Sequence, residues 1–183
     1  MSKIHTYVLI LALLLLPTMI FASGDKEDNS TVSTKQEGIS VGENWAFDYE
    51  FKDNKIEFTV TAPTTGWVGI GFNPSSRMKD ADYVLGYVKE GSLYLQDSYG
   101  TSNTSHASDE SLGGTDNVVA ISGTEMDGKT TIVFALPLDS KDIYDKKFVQ
   151  GDTYKVLLAY GKDNSDDFTS MHTKRQSMNV VLK

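Results

Sequence analysis

Apolar and polar positions alternate along most of this chain. Trp45, Phe47, Tyr49 and Phe51 are spaced by Ala46, Asp48 and Glu50, and Ile56, Phe58 and Val60 by Glu57 and Thr59. Successive side chains of a strand point to opposite faces, so each run predicts one buried face and one wetted face. Asp53-Asn54 between the two runs is a turn signal. Residues 66–72 (GWVGIGF) and 82–88 (DYVLGYV) are further β-rich runs, and Leu93 and Leu95 continue the series after a turn at Glu90-Gly91. Residues 118–121 lead to Asp127-Gly128, a hairpin dipeptide, and Thr130, Ile132, Phe134 and Leu136 then alternate. Tyr154, Val156, Leu158 and Tyr160 make another strand, and Met178, Val180 and Leu182 make the last. No segment carries a sustained helical stripe. Roughly nine short strands separated by Gly, Asn and Asp turns predict an all-β domain, an antiparallel sandwich or barrel.

The two ends of the pattern differ. Lys3 gives a short positive start, an apolar run extends from Tyr7 to Phe21, and Ala22 offers a small residue for cleavage before Ser23. That run is short for a bilayer span, which needs about 20 apolar residues, and Pro17 interrupts it. Residues 1–22 are therefore expected to be a cleaved signal peptide. The protein is then secreted or periplasmic, and meets a membrane only through this segment if it stays uncut. Residues 23–39 are polar, charged and aperiodic, and are expected to form a flexible leader. The folded domain is expected over residues 40–183.

Composition narrows the chemistry. The chain has no cysteine, which removes disulfides, thiolate metal sites, c-type haem attachment and a thiol nucleophile. A formal net charge of −8 argues against a nucleic-acid partner, because phosphate binding needs a basic face. Ser170 and Ser177 near His172 can be assembled into a triad only on paper, since no nucleophile-elbow pattern accompanies them. The chain is not expected to be an enzyme by itself. Asn29-Ser30-Thr31 and Asn103-Thr104-Ser105 are glycosylation sequons, relevant in a eukaryotic secretory pathway.

Between Gly66 and Tyr99 the sequence becomes specific. GWVGIGFNPSSRMKDADYVLGYVKEGSLYLQDSYG resembles the core signature of the DOMON family: a Gly-Trp-Val-Gly-Ile-Gly-Phe strand, a methionine, Ala-Asp before a strand, and a hairpin into Leu-Gln-Asp. TIVFALPLDSKDIYD and GDTYKVLLAYG resemble later strands of that family, so the likeness runs through nearly all of residues 40–183. His172 and Arg175 stand where the family often has a His near Arg-Gly, with Gln176 here in place of the glycine. The resemblance implies an immunoglobulin-like antiparallel β-sandwich of about nine to eleven strands, in agreement with the period-two pattern.

Two sites follow from the resemblance. Some family members hold haem b between a methionine and a histidine, and Met78 and His172 fall at those positions. Thioether and imidazole ligation suits one-electron transfer. The pocket is expected at one end of the sandwich, floored by Trp67, Ile70 and Phe72. Met78 also reads as a gap-filling methionine and His172 as a surface-loop residue. Met126, Met171 and Met178 compete as soft ligands, although Met171 and His172 are neighbours that point to opposite faces if they lie on a strand. His106, in the polar run TSNTSHASDES, is expected to be solvent-exposed. Gly66, Gly69 and Gly71 suit either close approach by a flat ligand or a tightly packed sheet centre. Asp82, Asp97 and Asp116, at the ends of successive strands, form an acidic constellation, and the second site that the resemblance implies is a cation held by Asp82 and Asp116 with main-chain oxygens near Tyr83 and Ser98. Oxygen ligands select a hard ion such as calcium, and the competing reading is ordinary turn and strand-end aspartates.

The expected function is thus an exported ligand-binding domain that carries haem b, and calcium at the second site, and passes single electrons to a redox partner protein. The alternative is a non-redox module of the same fold that binds a sugar, another small-molecule ligand or a protein. Tyr83, Tyr87, Tyr94 and Tyr99 then serve as a sugar platform or pack at sheet edges.

Overall fold

The computed structural model describes residues 38–183, and the signal-peptide and leader expectations for residues 1–37 lie outside them. The described chain forms β1 (Ile39–Gly42), β2 (Trp45–Lys52), β3 (Lys55–Ala62), β4 (Val68–Phe72), β5 (Asp82–Lys89), β6 (Ser92–Tyr99), β7 (Ala107–Ser108), a helical turn α1 (Asp109–Leu112), β8 (Val119–Met126), β9 (Lys129–Pro137), β10 (Thr153–Tyr160) and β11 (Lys174–Val181). They make an all-β sandwich of two antiparallel sheets. One sheet has the order β1-β2-β3-β9-β8 and the other β11-β10-β4-β5-β6-β7. The hairpin dipeptides Glu90-Gly91 and Asp127-Gly128 take positive φ at both residues (51° and 75°, 54° and 71°), the twist-matched geometry of two-residue turns.

Alternation sets the packing between the sheets. Along β2 and β3 every second residue is buried, and the same parity recurs on β9 and β10. Phe58 sits at the centre, with ring centroids 5.0 Å from Phe72, 5.7 Å from Phe134 and 5.8 Å from Phe148. Ile56, Val60, Ile70, Val84, Ile132, Val156 and Leu158 complete this core.

β4 is buried on both faces. Val68, Ile70 and Phe72 point into the inter-sheet core, whereas Gly69 and Gly71 face outward beneath a second apolar cluster. Trp67, Ala81, Tyr83 and Leu85 form that cluster, flanked by Met78, Tyr87, Leu157, Ala159 and Phe168. A β-carbon on Gly71 would overlap the ring of Tyr83, and one on Gly69 would meet Leu85 and Trp67. Gly71 therefore makes room for the chain's own Tyr83 ring, which is the packed-sheet reading, while at Gly69 the neighbours stand at ordinary contact distance. The expected ligand floor divides: Trp67 belongs to the outer cluster, while Ile70 and Phe72 face the opposite way.

Three elements depart from the sequence pattern. β1 begins at Ile39, within the expected leader; β7 and α1 arise in a polar run; and β11 begins at Lys174, well before its first apolar residue. β11 is an edge strand, and its first four residues are exposed, so no alternation marks them.

Phe58→Ala removes the ring on which Phe72, Phe134, Phe148 and Tyr49 converge. By the usual cost of emptying a buried aromatic site it should destabilise the fold by about 3–5 kcal/mol, read from denaturant unfolding. A loss below about 1 kcal/mol would show that this ring is not the centre of the core.

Candidate metal centre

The parity that buries apolar residues also turns carboxylates inward. On β5, Asp82 shares its face with Val84, and on β6, Asp97 shares its face with Leu93 and Leu95. The register pairs Asp82 with Tyr99 and Val84 with Asp97, so both acids reach the same end of the sandwich. The loop of residues 138–152 delivers Asp145, and α1 delivers Asp109. One oxygen each of Asp82, Asp97 and Asp145 lies within 4.8 Å of the other two. Asp82 and Asp97 are each 2% exposed and Asp109 1%.

Main-chain donors hold part of this group. The Lys146 N–H donates to Asp82 Oδ2 at 2.9 Å, and the Asn117 N–H donates to Asp97 Oδ2 at 2.9 Å. Asp82 Oδ1, Asp97 Oδ1, Asp145 Oδ1 and both oxygens of Asp109 are buried without a hydrogen-bond partner. Among the described residues, the Lys–carboxylate pairs lie elsewhere, Lys52 with Glu50 and Glu57, and Lys141 and Lys147 with Asp139. Burial, then the neighbouring acids, raises the Asp82 carboxyl well above the ordinary range against the opposing Lys146 N–H. Burial pushes Asp97 up to about 7, and burial with the charges of Asp97 and Asp145 pushes Asp109 up to about 8. Asp145 is raised in the same direction, again chiefly by burial.

Buried, unpaired carboxylates are costly in this state; protonation or a bound cation relieves them. The donor set is oxygen alone, several of the oxygens are orphaned, and the ligands come from separate elements. That combination fits a calcium-class ion.

Of the residues expected at the cation, Asp82 is in the group. Asp116 is not: it is exposed, and its Oδ1 accepts the Val118 N–H at 3.0 Å in a local turn, while the neighbouring Asn117 N–H is taken by Asp97. Tyr83 and Ser98 are register partners that follow Asp82 and Asp97 in the chain. Their side chains leave on the outer face, where Ser98 Oγ accepts from Gln96 Nε2 at 2.7 Å. The sequence groups Asp97 with Asp82 and Asp116 as an acidic constellation without assigning it to the cation, and it leaves Asp109 and Asp145 unmarked. For Asp97 the signal was present, a carboxylate on the apolar parity of its strand; Asp109 and Asp145 lie outside any such pattern.

Met78 and His172 do not project from one end of the sandwich. Met78 lies between β4 and β5, at the end where Phe72 meets Asp82. His172 precedes β11 at the other end, where Tyr160 pairs with Val68 and Lys174. The antiparallel return of β10 along β4 imposes this separation. Both are half-buried, and between them the outer face carries the Trp67, Tyr83 and Leu85 cluster. His106 is also half-buried, with its ring centroid 6.3 Å from that of Tyr83, Nδ1 without a partner, and a pKa lowered by burial. It is not the exposed loop residue that its polar neighbours suggested.

A family model described as the DOMON domain matches residues 42–161. DBH-like monooxygenase protein 2 of Mus musculus is 32% identical over 130 residues, and DBH-like monooxygenase protein 1 of Homo sapiens is 30% identical over 128 residues. Each alignment covers 70% of this chain and 20% of the relative, so the chain spans about a fifth of the curated relatives' length. Among solved structures, the cytochrome domain of Myriococcum thermophilum cellobiose dehydrogenase aligns with a TM-score of 0.56 at 10% identity, over 80% of this chain and 81% of that one. The cytochrome b domain of pyranose dehydrogenase from Coprinopsis cinerea aligns with a TM-score of 0.53 at 11% identity, over 74% of both. At these identities the likeness shows the fold.

Without metal the acidic group predicts an inverted pH dependence. Its folded-state pKa values lie above the 3.8 of an ordinary aspartate, so the folded state binds more protons than the unfolded one in the window up to about 8. Stability is then full below that window and falls as pH rises through it. The carboxylates with lowered pKa, at Asp80, Asp139 and Asp167, make their contribution above 3.8 and do not oppose this trend; His106, lowered by burial, does oppose it, one group against the four raised aspartates. In chelator the melting temperature should drop from pH 5 to pH 8; a flat or rising curve would refute the buried-charge assignment.

Proposed function

The chain belongs to the DOMON domain family, and from that premise we propose that it is an exported, non-catalytic binding module whose sandwich is closed at one end by a calcium-class divalent cation. The observation that carries this is the set of orphaned carboxylate oxygens on Asp82, Asp97, Asp109 and Asp145. Asp82 and Asp97 hold the cation from the strands, Asp145 brings the 138–152 loop to it, and Asp109 brings α1. The main-chain donors at Lys146 and Asn117 orient the two strand carboxylates and leave their other oxygens for the ion. The module's role is to present a rigid surface to a small molecule or protein partner. Export is supported by the apolar run ahead of Ala22. The monooxygenase in the relatives' names belongs to those proteins, of which this chain matches a fifth.

A second reading, haem b between Met78 and His172, is favoured by one observation. Both residues are half-buried and flank the same outward apolar cluster, on a fold shared with two cytochrome domains. A haem there would supply one-electron chemistry. The rings of Tyr83 and Trp67 now fill the space above Gly71 and Gly69 and would have to move aside. The residues therefore fit haem less well than the carboxylates fit a cation.

Calcium at a hundred times its dissociation constant should add about 2.7 kcal/mol by mass action, seen as a higher melting temperature than in chelator. Asp97→Asn separates the cation from a merely structural aspartate by sign. At pH 8 in chelator it should raise the melting temperature, because a buried charge is gone; in calcium it should lower it, with affinity reduced at least about tenfold through the lost ligand charge. Equal curves for the parent protein with and without calcium would overturn the proposal. A Soret band after reconstitution with haem, lost in His172→Ala, would move the haem reading to first place.

A further inference from the structure

We propose that Asn103 is an acceptor for an N-linked oligosaccharide, an inference that rests on the export reading above. The acceptor motif is Asn-X-Ser/Thr with X other than proline. Three positions in the chain have the outer residues of that motif: Asn29-Ser30-Thr31, Asn73-Pro74-Ser75 and Asn103-Thr104-Ser105. Asn29 lies outside the described residues.

Asn73 and Asn103 form an internal comparison. Asn73 has the forbidden proline, and its carboxamide already has work in the fold. Its Oδ1 accepts the Lys155 N–H at 2.9 Å, its own N–H donates to the Lys155 carbonyl at 2.9 Å, and its φ is 48°. Asn103 has threonine in the middle position and is exposed, as are Thr104 and Ser105 after it. Among the described residues its carboxamide makes no hydrogen bond. The backbone presents it on a tight bend between β6 and β7, where the Ser102 N–H donates to the Ser105 carbonyl at 3.2 Å and the Thr104 N–H to Ser102 Oγ at 3.2 Å. A bend on a surface loop is where such acceptors are accommodated, because a bulky polar group there displaces no packed side chain.

The transfer forms a bond from Asn103 Nδ2 to C1 of the first sugar of a lipid-diphosphate-linked oligosaccharide. The C1–oxygen bond to the diphosphate breaks, Nδ2 gives up one proton, and the lipid diphosphate leaves. The loop springs from the end of β6 that bears Asp97 and Tyr99, so the glycan stands at the rim of the acidic end of the sandwich. It covers that rim with polar bulk and leaves the sheet edges far from it open.

The test is translation of the full-length chain with its own N-terminal segment in the presence of endoplasmic-reticulum microsomes. Parent, Asn29→Gln, Asn103→Gln and the double variant are compared, and import is read by protection from added protease. The Asn29→Gln chain should be protected and carry one endoglycosidase-sensitive mass increment, absent from the double variant, with peptide mapping placing it on Asn103 and leaving Asn73 unmodified. An Asn29→Gln chain that is protected yet unmodified overturns the acceptor assignment and leaves export standing. A chain that stays accessible to protease overturns export and this inference with it.

Discussion

Carboxylates packed together out of water must be relieved, by protonation or by a positive partner. Asp82, Asp97, Asp109 and Asp145 gather at one end of the sandwich, and apart from main-chain N–H groups and the Ser140 side chain at Asp145 no donor answers them among the described residues. The rest of that end of the molecule is arranged around this constraint. The Lys146 N–H reaches Asp82 because the 138–152 loop is drawn inward, and Phe148, 2% exposed in the core, anchors the loop's far side. Tyr144 packs on Tyr99 at 5.2 Å and donates to the Leu112 carbonyl at 2.9 Å, so the same loop is tied to β6 and to α1. The buried carboxylates thus come from elements that are distant in sequence.

The two faces of the six-stranded sheet divide the labour differently. Inward, apolar side chains interdigitate with the other sheet until the carboxylates take over at one end. Outward, aromatic and aliphatic side chains cover glycines, with Tyr87 stacked on Tyr94 at 5.0 Å and against Phe168 at 5.0 Å. Each face therefore has its own chemistry, on strands that are only five to eight residues long.

Much of this was legible in the chain. The β-rich runs located nine of the strands, and where one face alone lies in the core, as on β2, β3, β9 and β10, alternation is what half-burial looks like in sequence. β1 escaped because its apolar signal is only Ile39 and Val41 at the end of a polar run, and β7 and the first half of β11 because edge strands and bridges are held by hydrogen bonds to a neighbour, which leave no apolar signature. Asp82 could be singled out at the mouth of its strand. Asp145 and Asp109 could not, since their place depends on where a long loop folds back, a tertiary fact. Asp116 looked equivalent to them along the chain and is occupied in a local turn. The likeness around Gly66 to Tyr99 suggested a haem pocket, but parity alone would have separated Ile70 and Phe72 from Trp67, since they sit an odd number of residues away.

Tyr83 is in effect a guest that the chain provides for itself. Its ring lies on the bare backbone of Gly71, in a slot that no larger residue at position 71 would leave open. A slot kept by glycine and plugged by one neighbouring side chain is a latent cavity. Its contents are decided at position 83, not by the sheet that frames it. On this sheet the outer surface is sealed by Tyr83 over Gly71 and by Trp67 and Leu85 beside Gly69. The sealing residues of that outer face are separate from Val68, Ile70 and Phe72, so what covers the sheet and what fills the core are set by different positions.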